Sequence, residues 1–252
     1  MLVTTDLNKK NDSILFEKKA LRVQLSFNET FFNRDTGLYR DGENVDHYSL
    51  HSNMFPLVFG LILKKNKERV ISFIKDKRMA CSVYGAQYLL EGLFDNFEEE
   101  FALELLTNTS ERGWWNMIRN GSTMTTEAWD NKFKSNLDWN HAWGTAPLNL
   151  ISRKLWGINP IKPGFKEVLI KPLLFSLNNS EISIPTKYGT IKGFYEKNEN
   201  VIKLNIEIPN DIVAYINLPG LYSEGYLNGV LRANFNKVKL KKGENLISIN
   251  YE

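Results

Sequence analysis

The sequence of 252 residues predicts a helical region followed by an antiparallel β-sandwich. Up to Trp156, apolar residues recur mostly with helical spacing and are separated by polar turns. From Phe165 onward, short segments alternate apolar and polar residues between regularly spaced Gly, Pro and Asn, which is typical of a β-sandwich. A stretch rich in Pro and Gly over residues 160–165 interrupts both patterns. We therefore predict two domains, residues 1–162 and residues 163–252.

The helical region contains six or seven predicted helices. Asp12 or Ser13 can cap the first helix, and Gly157 suits the position after the last one. Pro56 has to lie near the first turn of its helix or kink it. In chain order, the predicted helices cover residues 13–33, 50–65, 67–77, 83–94, 97–107, 111–119 and 142–156.

A long segment between the last two predicted helices shows no periodicity. Residues 120–140 are rich in Gly, Ser, Thr and Asn, so they predict a loop. Loops longer than about 12–15 residues within a domain are usually functional or disordered. The Trp content of this loop argues against disorder, and the segment is therefore a candidate functional loop.

Composition excludes several classes of function. The net charge of +3 comes from interspersed acids and bases, which is not the clustered pattern of a nucleic-acid binder. The single Cys81 excludes an intrachain disulfide framework and a cysteine zinc site. The three His residues lack metal-binding spacing, and no phosphate-binding glycine loop occurs, so we expect no metal and no cofactor. No apolar run is long enough for a membrane span, and residues 1–12 do not look like a secretory signal; the compartment stays open.

The most distinctive segment is Gly113–Ile158, which holds all six tryptophans of the chain. Among them stand Glu127, inside a Thr-rich run, and His141, which follows Asn140. A sugar packs its C–H face on aromatic rings and pairs its hydroxyls with carboxylate, imidazole and amide groups. This combination favours a carbohydrate site over a purely structural tryptophan cluster.

Three elements of this region occur in a specific order: TMTTEAWD, then NLDWNHAWGTAP, then LWGINPIKPGFKEVLIKP. Together, over about Ser13–Pro172, they resemble the C-terminal half of the catalytic region of inverting α-L-rhamnosidases of the glycoside hydrolase family 78 type. The resemblance implies part of an (α/α)6 barrel, a six-hairpin toroid, followed by the β-sandwich. Such a barrel has twelve helices, so it also implies a missing N-terminal half of the barrel as a partner, with a rhamnoside as substrate.

The resemblance also implies the chemistry. Inverting hydrolysis of a terminal α-L-rhamnosyl linkage needs one carboxylic acid for the leaving oxygen and one carboxylate that activates water. Glu127 corresponds to the carboxylate that activates water. The family's general acid lies in an earlier acidic segment that has no match here, so we expect the acid to come from outside this chain.

The remaining site residues are predicted to bind the sugar. The resemblance makes His141 a ligand of a sugar hydroxyl, and Trp129 and Trp139 are predicted to form the stacking platform. Trp114 and His51 are further candidates for the pocket. Trp143 and Trp156 are instead predicted to be core residues, because they lie at the start and end of a predicted helix.

Two other classes of function stay open at this point. One is a non-catalytic carbohydrate-binding protein, favoured by the missing acid. The other is a different (α/α) barrel enzyme, either another glycosidase or a polysaccharide lyase. A lyase would have to neutralise a uronate carboxylate, for which Arg112 and Arg119 are the nearest candidates.

Overall fold

A computed structural model describes residues 7, 9–174, 176–198, 200–218 and 224–250 of the chain. Parts of the N-terminal stretch, of the predicted strand that ends at Pro219 and of the last predicted strand lie outside these residues. Among the helices that are described, none is long and apolar enough to cross a membrane.

The chain forms two compact units. The first, the helical unit, comprises Met1–Phe97 and Phe101–Gly144. The second, the β unit, comprises Glu98–Glu100 and Thr145–Glu252. The domain boundary that we placed after residue 162 from the sequence stays a prediction.

The helices follow the predicted order. Two of them, α3 and α4, have the predicted bounds, while α1, α5 and α6 differ from the prediction by two or three residues at one or both ends. A short pair of strands, β1 (Phe32–Asn33) and β2 (Leu38–Tyr39), follows α1. The helices are α1 (Lys10–Phe31), α2 (Leu50–Val58), α3 (Lys67–Lys77), α4 (Val83–Phe94), α5 (Glu99–Thr107) and α6 (Trp114–Arg119).

Helix α2 is shorter than the predicted range 50–65. It ends because Gly60 adopts a left-handed backbone conformation, with φ of 66°. The amide of Gly60 donates to the carbonyl oxygen of Leu57 at 3.2 Å, and the amide of Leu61 donates to that of Pro56 at 2.9 Å. This pair of bonds is a Schellman motif, which closes a helix and needs a residue that tolerates positive φ.

Serine caps fix the starts of α2 and α4. The hydroxyl oxygen of Ser49 accepts a hydrogen bond from the amide of Ser52 at 3.2 Å, and that of Ser82 accepts one from Gly85 at 3.0 Å. These caps place His51 in the first turn of α2. The core beneath is aliphatic, with Met54, Leu57, Val70, Ile74, Leu89, Leu90 and Leu93 all buried.

Helix α1 has no buried residue, although it is 22 residues long. Its C-terminal half is held to the end of α2 by two side-chain amides: Gln24 donates to the Gly60 carbonyl at 3.1 Å, and Asn28 donates to the Leu61 carbonyl at 2.8 Å. Six of its apolar side chains are exposed in this chain, namely Ile14, Leu15, Phe16, Leu21, Val23 and Leu25.

The predicted loop is confirmed: residues 120–140, all of them described, contain no helix or strand. The single helix predicted over residues 142–156 is wrong. The chain instead forms a 3₁₀ turn (Ala142–Thr145), the short helix α7 (Ala146–Leu150) and a π-helical turn (Ile151–Leu155). A proline at position 147, which has no amide hydrogen, suits a new helix start rather than a helix interior.

The β unit contains two sheets, as the alternating pattern predicted. The strand order is β10-β9-β12-β7-β6-β5 in the larger sheet and β11-β8-β4-β3 in the smaller. The strands are β3 (Ile158–Pro160), β4 (Glu167–Ile170), β5 (Asn179–Thr186), β6 (Gly189–Lys197), β7 (Val201–Ile208), β8 (Val213–Ile216), β9 (Gly225–Leu227), β10 (Val230–Arg232), β11 (Val238–Lys239) and β12 (Gly243–Asn250).

One strand pair departs from the predicted antiparallel arrangement. Strands β4 and β8 pair in parallel, with Val168 opposite Ala214 and Ile170 opposite Ile216. These four side chains are buried. Both strands bury every second residue, and this alternation shows which face is buried but not the relative direction of the two strands.

Trp156 is a core residue of the β unit, as predicted. Its indole nitrogen donates to the Ser180 hydroxyl at 3.0 Å. A Cβ atom on Gly193 of β6 would lie only 2.4 Å from the Trp156 ring, so a glycine is required there. Gly157 follows with φ of 63°, and its missing Cβ leaves room for the carbonyl oxygen of Lys171.

Candidate active site

Glu127 is held firmly within the loop 120–140. One carboxylate oxygen, Oε1, forms an ion pair with the Lys134 ammonium group, and the other, Oε2, accepts the Asp138 amide at 3.2 Å. The backbone is tied as well, because the Glu127 amide donates to the Asp138 carbonyl at 2.9 Å. The hydrogen bond from Lys134, together with that from the Asp138 amide, lowers the pKa of Glu127, so this carboxylate is ionised at neutral pH.

The Glu127 carboxylate borders a cavity of about 480 Å³ in the helical unit. Aromatic rings supply much of the wall, and two cations, Arg112 and Lys134, lie on it. The side chain of Glu127 is 15 % exposed, which leaves it reachable from the cavity. The remaining wall residues are Cys81, Ser82, Tyr84, Ala128, Trp129, Phe133 and Trp143.

Two hydrogen bonds with Thr125 hold the backbone of His141 against the Thr-rich run. Its amide donates to the Thr125 carbonyl at 2.8 Å, and the Thr125 hydroxyl donates to the His141 carbonyl at 2.8 Å. The imidazole lies 4.1 Å from the Trp143 ring, centroid to centroid, and its Nδ1 is 3.4 Å from a carboxylate oxygen of Asp138. Thus His141 and Glu127 both contact Asp138, which brings the two predicted site residues together.

His51 joins the same region through a chain of ring contacts that we call the aromatic row. Successive centroids are 6.2, 5.4, 5.6, 5.0 and 4.1 Å apart from His51 to His141. The row therefore connects two predicted sugar ligands that are 90 positions apart in the sequence. Its members, in spatial order, are His51, Phe55, Tyr88, Tyr84, Trp143 and His141.

Trp129 and Trp114 are buried, which limits the role predicted for them. Trp129 is only 2 % exposed, and its indole nitrogen donates to the Cys81 carbonyl at 2.7 Å. The Trp114 nitrogen donates to the Gly144 carbonyl at 2.7 Å, and the two indoles pack edge to face at 5.0 Å. Neither indole offers an open face for a sugar, although Trp129 forms part of the cavity wall. Sugar binding by these residues stays a prediction.

Trp143 and Trp139 are both exposed, but they border different cavities. Trp143, predicted to be core, is 40 % exposed and lines the Glu127 cavity, so that prediction is wrong. It lies on the 3₁₀ turn Ala142–Thr145 rather than at the start of the predicted long helix. Trp139 is exposed but borders a different cavity, together with Asp130 and Leu137, and its predicted role in the platform stays a prediction.

Sequence reasoning missed Tyr84 and Lys134. Tyr84 stands four residues before Tyr88 on one face of α4, a spacing that could have indicated an aromatic stripe. The hydroxyls of the two tyrosines are 3.1 Å apart. Lys134 lies seven residues after Glu127 in a segment without periodicity, and no pattern in the sequence signals that contact.

Other groups at the cavity have structural partners. Burial raises the pKa of the Cys81 thiol to about 12, so it is not a nucleophile at neutral pH. Arg112 lies over the Phe133 ring at 4.4 Å and donates to the Cys81 carbonyl at 3.3 Å. Among the described residues, no group of three or more His, Cys, Asp or Glu side chains could hold a metal ion.

Comparison with models of known protein families identifies the family of this chain. Residues 3–155 match the model of the bacterial α-L-rhamnosidase six-hairpin glycosidase domain, and residues 157–227 match that of the bacterial α-L-rhamnosidase C-terminal domain. The first match alone covers more than half of the chain. The chain belongs to the bacterial α-L-rhamnosidase six-hairpin glycosidase family.

Two curated relatives are considerably longer than this chain. An α-L-rhamnosidase of Alteromonas sp. (strain LOR) is 26 % identical over 238 residues, which are 86 % of this chain and 25 % of that protein. An α-L-rhamnosidase of Formosa agariphila is 24 % identical over 234 residues, with 86 % and 24 % covered. The chain thus spans about a quarter of the length of these relatives.

Solved structures confirm the fold. An α-L-rhamnosidase from Dictyoglumus thermophilum superimposes with a TM-score of 0.81 at 16 % identity, covering 98 % of this chain and 30 % of that one. A Streptomyces avermitilis α-L-rhamnosidase, solved with L-rhamnose, gives a TM-score of 0.75 at 18 % identity, covering 97 % and 25 %. The predicted fold, a partial six-hairpin toroid followed by a β-sandwich, is therefore confirmed.

Proposed function

We propose that this chain supplies the water-activating half of an α-L-rhamnosidase active site. In this proposal Glu127 is the general base for inverting hydrolysis of terminal α-L-rhamnosyl linkages. The observation that carries it is the placement of Glu127: an ionised carboxylate, fixed by Lys134 and the Asp138 amide, borders a cavity with an aromatic wall. Family membership supplies the reaction type, and the L-rhamnose in one structural relative supplies the sugar.

The carboxylate retains capacity for water. An ionised carboxylate has about four lone-pair sites. Lys134 and the Asp138 amide use one on each oxygen. The sites left over can accept a proton from a water molecule held in the cavity, which is the role of the base in an inverting glycosidase.

The general acid is proposed to come from outside the chain. Of the residues that line the cavity, Glu127 alone carries a carboxyl group. Inverting enzymes keep their two carboxyl groups about 6.5–9.5 Å apart, so the acid has to stand across the same cavity. We infer that the missing N-terminal half of the barrel brings it, together with helices that cover the apolar side chains of α1.

The test is Glu127→Gln, in whichever form of the protein hydrolyses an aryl α-L-rhamnoside, either a longer protein or this chain combined with the rest of the barrel. Glutamine keeps the size and accepts hydrogen bonds but cannot take a proton, so kcat should fall roughly 10²- to 10⁴-fold. Binding of rhamnose should change little. A kcat within about threefold of the parent value would show that Glu127 is not the base.

A matched control is available in the same unit. Glu111 pairs with Lys132 as Glu127 pairs with Lys134, but its side chain is much more exposed and does not border the cavity. Glu111→Gln should leave kcat unchanged within experimental error. Equal losses in both variants would point to a general effect on folding rather than to chemistry.

A non-catalytic carbohydrate-binding protein is the second candidate, and the single carboxyl group on the cavity wall favours it. The two candidates separate on one result. Binding of L-rhamnose without turnover, in every complemented form, would support the binding protein, whereas turnover that depends on Glu127 would support the hydrolase.

A further inference from the structure

A row of three side chains crosses the larger sheet of the β unit on the face opposite its core. Strand register places Phe194 of β6 beside Asn205 of β7, and Asn205 beside Leu246 of β12. The residues before and after Phe194 and Leu246 are buried, so these two side chains point away from the core. Phe194 is 47 % exposed and Leu246 is 57 % exposed. We call these three residues the central row.

Asn205, in the middle of the central row, has an unmet hydrogen-bonding need. The oxygen of its side-chain amide is buried, and no group among the described residues donates a hydrogen bond to it. A buried acceptor without a donor is unfavourable. A purely apolar partner would leave this oxygen unpaired, whereas a partner that brings a donor to the centre of the row would satisfy it.

Charged side chains flank the central row, and their signs are opposite on its two sides. On β6, Lys192 stands on one side of the row and Glu196 on the other; on β7, Glu207 and Lys203 do the same in reverse. The Lys192 ammonium group lies 3.0 Å from the Glu207 carboxylate. None of these four residues is buried. Turning the face over about an axis along the central row therefore brings each charge over one of opposite sign.

We propose that this face is a two-fold interface between two copies of the chain, with the symmetry axis along the central row. Each residue of the row then faces its own copy, which is possible only in an isologous dimer. Lys192 faces Glu196 of the second copy, and Lys203 faces Glu207 of the second copy. The apolar centre with a charged rim is typical of a protein–protein interface.

The position of Asn205 fits this symmetry. A side-chain amide carries both a donor and an acceptor, so two facing asparagines can satisfy each other and supply the donor that the buried oxygen lacks. Sheets that pack face to face lie about 10 Å apart, a distance that two facing asparagine side chains can bridge. A single buried amide in an apolar interface also fixes the register of the two copies, as it does in coiled coils.

The size of the face sets the expected strength. Four of its strands, β5, β6, β7 and β12, have eight or nine residues each. At about 3.4 Å per residue and about 4.8 Å between strands, they span about 27 by 19 Å, or about 500 Å² in projection. Stable interfaces bury roughly 800 Å² per partner. We therefore expect a dimer that forms in the micromolar range.

The experiment is sedimentation velocity of the full chain across the micromolar range, with a pair of charge-reversing variants. In a dimer of Glu207→Lys, or of Lys203→Glu, positions 203 and 207 carry like charges that face each other, so dimerisation should weaken at least about 10-fold. A mixture of the two variants restores opposite charges at every facing position. With one variant fluorescently labelled, the mixed dimer should form nearly as well as the parent dimer.

A matched control lies in the helical unit. Glu104 pairs with Arg78 there as Glu207 pairs with Lys192 in the sheet. Glu104→Lys makes the same change of charge and should associate as the parent does. Association through the exposed apolar side chains of α1 would be equal in all these variants, so it cannot imitate the loss and its recovery in the mixture.

Any of three results would overturn the dimer: a parent chain that stays monomeric throughout the micromolar range, single variants that associate as the parent does, or a mixture that associates no better than the single variants. The first needs no variant, so a folding defect cannot produce it. Circular dichroism establishes that each variant unfolds at the parent's midpoint. If one does not, Lys192→Glu with Glu196→Lys tests the second facing pair in the same way.

Discussion

Replacement of Trp129 by phenylalanine separates a structural role from a sugar-binding role. The sequence predicts that Trp129 stacks on the sugar, whereas the structure buries it beneath the cavity. If Trp129 has only the structural role that its burial indicates, Trp129→Phe should destabilise the helical unit and change sugar affinity little.

The size of the loss follows from two contacts. The indole nitrogen donates to the Cys81 carbonyl at 2.7 Å, and losing a buried hydrogen bond of this kind costs about 1 kcal/mol. The smaller ring also leaves a void beside Trp114. This void costs roughly 1–3 kcal/mol, which is part of the loss expected when a buried Trp is replaced by Ala. The sum of about 2–4 kcal/mol lowers the unfolding midpoint by roughly 4–16 °C for a chain of this size.

The assay is thermal unfolding followed by circular dichroism, with L-rhamnose affinity measured on the same samples. Trp139→Phe is the matched control, because Trp139 is exposed and a surface change of this kind stays within about 0.5 kcal/mol. An unchanged midpoint for Trp129→Phe combined with lost sugar binding would refute the structural assignment and restore the role predicted from the sequence.

Two further outcomes follow from the charges and from the exposed apolar surface. Lys134 lowers the pKa of Glu127, so Lys134→Met should raise that pKa and move the acid limb of the kcat/KM profile to higher pH. Lys134→Arg retains the positive charge and should leave the acid limb where it is in the parent. An acid limb that does not move in Lys134→Met would contradict the pairing of Lys134 with Glu127. The exposed apolar side chains of α1 should make the isolated chain self-associate and bind a hydrophobic dye. The double variant Leu21→Glu, Leu25→Glu should reduce self-association and dye binding. A monomer in sedimentation across the micromolar range, with no dye binding by the parent chain, would contradict the prediction.

Helix bounds could be predicted where local signals agree. Helix α4 begins after the cap Ser82 and ends where the apolar period stops, so both ends are visible in the sequence. Helix α2 was predicted seven residues too long because its apolar run continues past Gly60. That glycine ends the helix through a backbone conformation, which composition alone does not reveal.

The site was predictable in part. The length and composition of the loop 120–140 identified it as a functional candidate, and the family resemblance singled out Glu127 and His141. The choice among tryptophans failed because all six lie in one segment, and burial is decided by tertiary contacts. Tyr84 approaches Trp143 from 59 positions away, and a single sequence carries no signal for such a contact.

A lowered pKa is at first sight a disadvantage for a general base, since a weaker base accepts a proton less readily. The reaction proposed here reduces that disadvantage. In an oxocarbenium-like transition state the sugar carries positive charge, so the attacking water becomes acidic as its bond to carbon forms. The base then has to be ionised and correctly aimed more than it has to be strong. Lys134 and the Asp138 amide serve both requirements, because they hold Glu127 in its charged form and fix each of its oxygens.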